Sequence, residues 1–179
     1  DSTDKSGVLS TAYLLGIYSF LPDGFNRIDG DFLDAGTDDA VPSSLSSSVN
    51  LFTNGQLTAV NYPDNNWSDS YTIIRRANVF IKNIPVVPIP STVMLRQVAE
   101  ARFLRAFAYF ELLKRYGGVP LVGDTVFNLN DDLNMPRNNY EQCVNYIISE
   151  CDQIKADLPK GSTIVTTTPT EFGRATAEA

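Results

Sequence analysis

The stretch Ala99-Glu100-Ala101-Arg102-Phe103-Leu104-Arg105-Ala106-Phe107-Ala108-Tyr109-Phe110-Glu111-Leu112-Leu113-Lys114-Arg115-Tyr116-Gly117-Gly118 decides the fold class. It is rich in strong helix formers and holds no Pro, Gly, Asn or β-branched residue before the paired glycines. The spacing predicts one helix over 91–116. Ser91 or Thr92 is expected to cap its start, Gly117-Gly118 supplies a C-terminus, and Pro120 prevents continuation. At 100° per residue Arg96, Glu100, Glu111, Lys114 and Arg115 share a polar face. Ala101, Phe103, Leu104, Ala106, Phe107, Ala108, Phe110 and Leu112 fill most of the remainder. Arg102 and Arg105 fall on the apolar side. A buried charge must be paired, so these two arginines either receive an anionic ligand or close an internal ion pair. The acidic loop Gly36-Thr37-Asp38-Asp39-Ala40 offers Asp38 and Asp39 as partners.

Outward from that helix, periodicity marks three more. One covers about 6–20, with Val8, Ala12, Leu15 and Tyr18 on one face, and ends at Pro22-Asp23-Gly24. Another covers about 66–84, on a stripe of Trp67, Tyr71, Ile74, Asn78, Ile81 and Ile84 widened by Ile73, Ala77 and Phe80. Pro85 and Val86-Val87-Pro88-Ile89-Pro90 end it. The last covers about 139–158, where Tyr140, Val144, Ile147, Cys151, Ile154 and Leu158 recur at 4-3-4-3-4. Pro159 and Gly161 stop it, and a Thr-rich linker follows over 162–170. A short helix is allowed at about 49–60. Long irregular connections fill about 22–48 and 121–138, and no strand pattern persists. The fold class is all-α.

Composition narrows the function. The 179 residues carry a formal net charge of −7, from 14 Lys and Arg against 21 Asp and Glu. Without a basic cluster no nucleic-acid partner is expected, because phosphate recognition needs cations. There is no histidine, which removes His-based triads and His metal ligands. Hydrophobic residues make up 43%, enough for a core and too many for a disordered chain. The length fits a single domain. Only 20% of residues are charged, and the loops are rich in Ser, Thr and Asn, a neutral polar surface more usual outside the cytoplasm. Cys143 and Cys151 stand eight residues apart, about 12 Å along a helix at roughly 1.5 Å per residue. A disulfide needs Cα atoms within about 7 Å, so they are expected to be free. No run of apolar residues reaches the ~20 that span a bilayer. No signal peptide opens the chain, which implies a cytoplasmic protein or one whose targeting segment has been removed. The start at Asp1 and the stop just after Gly173-Arg174-Ala175-Thr176 give the expectation of a fragment.

Several side chains invite a chemical reading. The 22–48 connection is long enough to be functional. In it Phe25, Asn26 and Arg27 place an aromatic beside an amide and a guanidinium, a set suited to sugar hydroxyls and to the axial C–H face of a sugar ring. Trp67 could stack likewise, although it opens a helical stripe and reads first as packing. Asp38 and Asp39 could serve as a glycosidase carboxylate pair, which needs about 5–10 Å between carboxyls, yet nothing local builds a cleft. With Asp34 they could approach calcium, but the EF-hand spacing is absent. No P-loop, GxGxxG, GxSxG or HExxH occurs. No catalytic residue, metal ligand or cofactor is therefore expected. Asn66-Trp67-Ser68 fits a glycosylation sequon, a weak signal.

The quoted helix, with its exit Arg115-Tyr116-Gly117-Gly118-Val119-Pro120-Leu121-Val122, resembles the hallmark of the SusD/RagB family of outer-membrane nutrient-binding lipoproteins of Bacteroidetes. Three blocks agree in order: Trp67 through Tyr71 to Ala77-Asn78, the loop Thr37-Asp38-Asp39, and Gly173-Arg174-Ala175-Thr176. The resemblance implies tetratricopeptide-like helix pairs with long irregular loops, 91–116 and 139–158 forming one pair, and places residues 1–179 as an N-terminal SusD-like helical domain of a longer protein. It implies a non-catalytic, cell-surface, glycan-binding component of a polysaccharide uptake system, lipid-anchored to the outer membrane and partnered with a SusC-like TonB-dependent transporter. The family's RagB branch implies peptide in place of glycan. A helical-repeat scaffold that contacts the transporter without glycan is the competing class. The expected ligand-binding residues are Phe25, Asn26, Arg27 and Asp39. Where the starch-binding member has aromatics after this loop, the chain reads Val41-Pro42-Ser43-Ser44-Leu45, so starch specificity is not implied.

Overall fold

The computed structural model describes residues 2–22 and 24–160. It is all-α: the helices are α1 (Val8–Tyr18), α2 (Trp67–Asn83), α3 (Ser91–Tyr116) and α4 (Tyr140–Ile154), joined by three short 3-10 turns. An isolated β bridge joins Ile28 and Asp31. The chain forms two compact units. One comprises the residues up to Phe20 together with those from Asp69 onward, and the other is Leu21–Ser68. The expected Thr-rich linker and the Gly173-Arg174-Ala175-Thr176 block lie outside the described residues.

In the first unit α3 makes its most extensive helix contact with α4. The pair is antiparallel: Ala99 meets Ile154 and Leu158 at one end, and Val119 O meets the Cys143 thiol at the other, at 3.6 Å. Tyr109 and Tyr146 stack edge-on between them, 5.1 Å apart. Cys143 and Cys151 are free. The helix begins at Ser91 as the spacing predicts, but the cap differs. Pro90 is the N-cap, and no side chain caps the helix. Its carbonyl accepts the Met94 N–H at 3.0 Å, the first intrahelical bond, which places Ser91 and Thr92 inside the first turn and not at the capping position. At α4 the cap is Asn139, which forms a reciprocal capping box with Gln142.

The expected polar face of α3 is not a solvated one. Glu100 is 0% and Glu111 4% exposed. Arg96 and the Tyr18 hydroxyl of α1 bind the Glu100 carboxylate, and Lys114 and Arg115 bind Glu111. Conversely Phe110 is 47% exposed and its ring packs at a tilt beside Phe107, which packs likewise beside Phe103, with centroids 6.4 and 6.5 Å apart. In α1 the buried residues are Leu14 and Ile17, while Val8, Ala12 and Leu15 of the expected stripe are exposed. This helix is apolar nearly all round, so periodicity could not orient it. Of the expected α2 stripe Ile73, Ile74, Ala77, Asn78, Phe80 and Ile84 are buried, while Trp67, Tyr71 and Ile81 are half-buried. In α4 the buried line is Cys143, Glu150 and Ile154, and Tyr140 stands exposed.

Two glycines are required by space. Gly7 precedes α1 with φ +69°, and a Cβ there would stand 2.7 Å from Ile89 Cγ2. At Gly118 a Cβ would fall 2.1 Å from the Asn138 carbonyl oxygen. That contact lets residue 119 pair with Asn138, whose N–H donates to Val119 O at 3.1 Å, and seats the start of α4 against the end of α3.

Candidate functional site

Two places carry concentrated polar chemistry. The first is the arginine cluster of the helical unit. Arg105 is 1% exposed. It donates to Glu150 Oε2 at 2.6 Å, Asp124 Oδ1 at 2.6 Å, Asn78 Oδ1 at 2.6 Å and Gly123 O at 3.2 Å. Arg102 grips the same Glu150 through both carboxylate oxygens, at 3.1 and 2.8 Å, and reaches Gln153 at 2.9 Å. Burial pushes the Glu150 carboxyl up, and the hydrogen bonds from Arg102 and Arg105 outweigh it, holding that carboxyl below the usual carboxylate range. Burial opposes the Arg105 charge in the same way, and the Glu150 hydrogen bond and nearby Tyr146 outweigh that too. Burial also pushes the Tyr109 phenol up to about 12.

The arginines are thus internally paired, but not with Asp38 or Asp39. Both aspartates are exposed and belong to the other unit. Sequence reasoning missed Glu150 because the α4 stripe was drawn through apolar residues alone. A charge demanding a partner on α3, with the one glutamate in the second half of α4, was the available signal. The cluster also organises the connection after α3. Asn78 Nδ2 donates to Gly123 O and Thr125 O, Tyr71 to Pro120 O, and Arg75 to Phe127 O. The Val122 N–H donates to Tyr109 Oη at 2.9 Å. These residues brace a loop, and Arg105, Asn78 and Tyr71 direct donors to protein acceptors there. Of the Arg105 guanidinium, only Nε lacks a partner, and it is buried.

A cavity of about 290 Å³ in the same unit is lined mainly by Leu9, Tyr13, Val79, Phe80, Ile84 and Val87. Its acidic member Asp4 is engaged by the Ser10 N–H at 2.8 Å. An apolar lining of this kind offers a sugar few hydrogen-bond partners.

The second place is Leu21–Ser68. Its small core is Ile28, Ala35 and Val49, with Leu33 and Phe52 packed on it. Around Ile28 the chain reverses through Asp29 (φ 55°) and Gly30 (φ 81°), and Asp31 N–H bonds Ile28 O at 3.0 Å. Positive φ at both central residues is the primed turn that Asp-Gly favours. Two side-chain clamps fix it. Asp29 Oδ2 accepts from the Ser48 N–H at 2.7 Å and hydroxyl at 2.5 Å, which holds its carboxyl below the ordinary range. Arg27 pairs bidentately with Asp64, at 2.6 and 2.9 Å.

The expected ligand residues fall in this unit as follows. Phe25 is 78% exposed. Asn26 beside it is exposed. The Arg27 guanidinium is committed to Asp64, with its side chain 23% exposed. Asp39 is exposed on the turn after the 3-10 segment Leu33–Gly36, where its N–H donates to Thr37 Oγ1 at 3.2 Å. The structure adds Phe32, which sequence reasoning missed. It is 69% exposed, and the Leu33 N–H bonds Phe25 O at 3.2 Å, so two open phenyl rings flank one clamped turn. An aromatic between acidic residues next to Asp-Gly was the signal. Among the described residues no three carboxylates or thiols converge to hold a metal.

Comparison with known proteins now bears on this geometry. A SusD-like protein of Formosa agariphila is 35% identical over 92 residues, 51% of this chain and 18% of that protein. The fold matches a SusD-like carbohydrate-binding protein of Bacteroides fragilis with TM-score 0.79 and 26% identity, over 98% of this chain and 36% of that one. It also matches a laminarin-binding SusD-like protein with TM-score 0.74 and 25% identity, over 94% of this chain and 36% of that one. The chain thus spans about a fifth of that curated relative and about a third of these solved structures. The family model described as "Starch-binding associating with outer membrane" matches residues 12–177, and the chain belongs to this SusD-like family.

Proposed function

We propose that this chain is the N-terminal, glycan-contacting part of a non-catalytic cell-surface protein. The protein would gather oligo- or polysaccharide at the outer membrane, held there by a lipid anchor, and deliver it to a SusC-like TonB-dependent transporter. The observation that carries the reading is the pair of exposed rings, Phe25 and Phe32, on a turn clamped by Arg27–Asp64 and Asp29–Ser48. An aromatic that stays in water on a rigid support is costly to the fold and useful to a ligand. Phe25 and Phe32 stack on sugar rings, Asn26 and Asp39 take hydroxyl hydrogen bonds, and Arg27 holds the platform. Modest affinity per sugar is strengthened by repeated contact with a polymer. The carbohydrate- and laminarin-binding relatives support the same reading. Asp38 and Asp39 are open to water and lack the apolar enclosure of a glycosidase acid.

Affinity electrophoresis against plant, fungal and host polysaccharides tests this. Retardation by a polymer without release of reducing ends is expected, and Phe25→Ala should weaken it about tenfold, ~1.4 kcal/mol. Retardation unchanged in Phe25→Ala with Phe32→Ala would remove the platform. No retardation by any polymer would favour peptide binding or a pure scaffold.

A further inference from the structure

The charge of this chain is not spread evenly. Residues 21–68 hold seven aspartates, one arginine and no lysine or glutamate. Their net charge is therefore −6, out of −7 for the whole chain. The one cation, Arg27, is bound through both terminal and inner nitrogens by Asp64. Of the others, Asp29 is engaged by two Ser48 donors, and Asp34, Asp38 and Asp39 are exposed. The phenyl rings of Phe25 and Phe32 stand in this same unit.

We propose that the site selects uncharged glycans and rejects polyanionic ones, such as uronate-rich or sulfated polymers. This rests on the reading that Leu21–Ser68 carries the glycan face. A polyanion recruited to a protein surface needs cations to replace its own counterions, and recognition of carboxylate or sulfate favours an arginine fork free to engage it. Here that fork is closed by a protein carboxylate, and the surrounding field repels the ligand. The repulsion does not depend on the exact seat of the sugar. At 10 mM salt charges act over about 30 Å, whereas a 48-residue unit has a radius of roughly 10 Å. A neutral pyranose meets none of this cost, and of the exposed carboxylates only Asp39 is asked to accept its hydroxyl hydrogen bonds.

The test uses the whole chain, with laminarin, xyloglucan and starch, their carboxymethylated forms, and polygalacturonate and alginate, at 10 and 150 mM salt. The expected result is retention by at least one neutral polymer. Its carboxymethyl form should bind at least tenfold more weakly at 10 mM salt, with a narrower gap at 150 mM. The double substitution Asp34→Asn with Asp38→Asn should leave neutral binding within twofold and raise carboxymethyl binding severalfold at low salt. A polyanion bound as tightly as the neutral polymer at 10 mM overturns the selectivity and leaves glycan binding standing. A gap that responds neither to salt nor to these substitutions overturns its electrostatic origin. Retention by no polymer at all overturns the glycan reading and the selectivity with it.

Discussion

Replacing Arg105 by methionine keeps most of the side-chain volume and removes the charge at the centre of the α3–α4 interface. Breaking a buried ion pair by deleting one partner costs about 3–5 kcal/mol, mainly for the charge left behind. Three features of this cluster lower that figure. Glu150 keeps Arg102, which holds both of its oxygens at 3.1 and 2.8 Å. The Asp124 side chain is 83% exposed and returns to water at little cost. Methionine recovers some apolar burial. Against this, Asn78 Oδ1 loses a 2.6 Å charge-assisted bond inside the protein, worth about 1–3 kcal/mol when the acceptor is stranded. The net expectation is a loss of about 2–4 kcal/mol. For a chain of this size that lowers Tm by roughly 4–16 °C, at about 2–4 °C per kcal/mol. Circular dichroism melting at pH 7 reads it directly, with Asp38→Asn and Asp39→Asn as comparators. These two should melt within ~1–2 °C of wild type, since exposed substitutions away from special features change stability by about 0.5 kcal/mol or less. An Arg105→Met melt within 2 °C of wild type, or a larger loss in either aspartate variant, would refute the assignment of Glu150 as the buried partner.

The Glu150 carboxyl lies below its ordinary 4.5 in the folded protein, so its contribution is present above that value and lost as pH falls through the lower folded one. Urea midpoints of wild type and Glu150→Gln should therefore differ most near pH 7 and converge on acidification below about pH 4.5; a difference constant with pH would contradict the linkage. Gly118→Ala should destabilise by more than about 2 kcal/mol, because its Cβ would overlap the Asn138 carbonyl oxygen at 2.1 Å, and a wild-type melt would show that the contact relaxes freely. Asn139→Ala removes one half of the α4 capping box and should cost about 1 kcal/mol, read as a Tm loss of roughly 2–4 °C.

Much of the helical layout was legible along the chain. Helix α3 was bounded correctly at both ends by Pro90 and Gly117-Gly118, and α2 presented its buried stripe at the expected positions. These features depend on residues close in sequence, where periodicity and turn chemistry act. The ordered blocks around Trp67–Asn78 and Ala99–Val122 pointed to the family for the same reason. Less was legible of which way the helices face. The charged residues of α3 read as one polar face, yet Glu100 and Glu111 on it are buried, where Tyr18 and Arg115 reach them. The α4 stripe read as apolar, yet Glu150 is drawn inward by Arg102 and Arg105.

At Leu21–Ser68 the division is similar. Phe25, Asn26 and Arg27 could be named as ligand candidates from side-chain chemistry, and the net negative charge of the segment is a property of the sequence alone. That Arg27 is closed by Asp64, 37 residues downstream, and that Phe32 joins Phe25 in the open, could not. Local propensity and punctuation are set by neighbours a few residues apart and survive in the linear order. Pairing of buried charges and exposure of aromatics are set by what packs against them from distant segments. Only the tertiary structure brings those segments together, and the cost of an unpaired buried charge then decides which carboxylate each arginine takes.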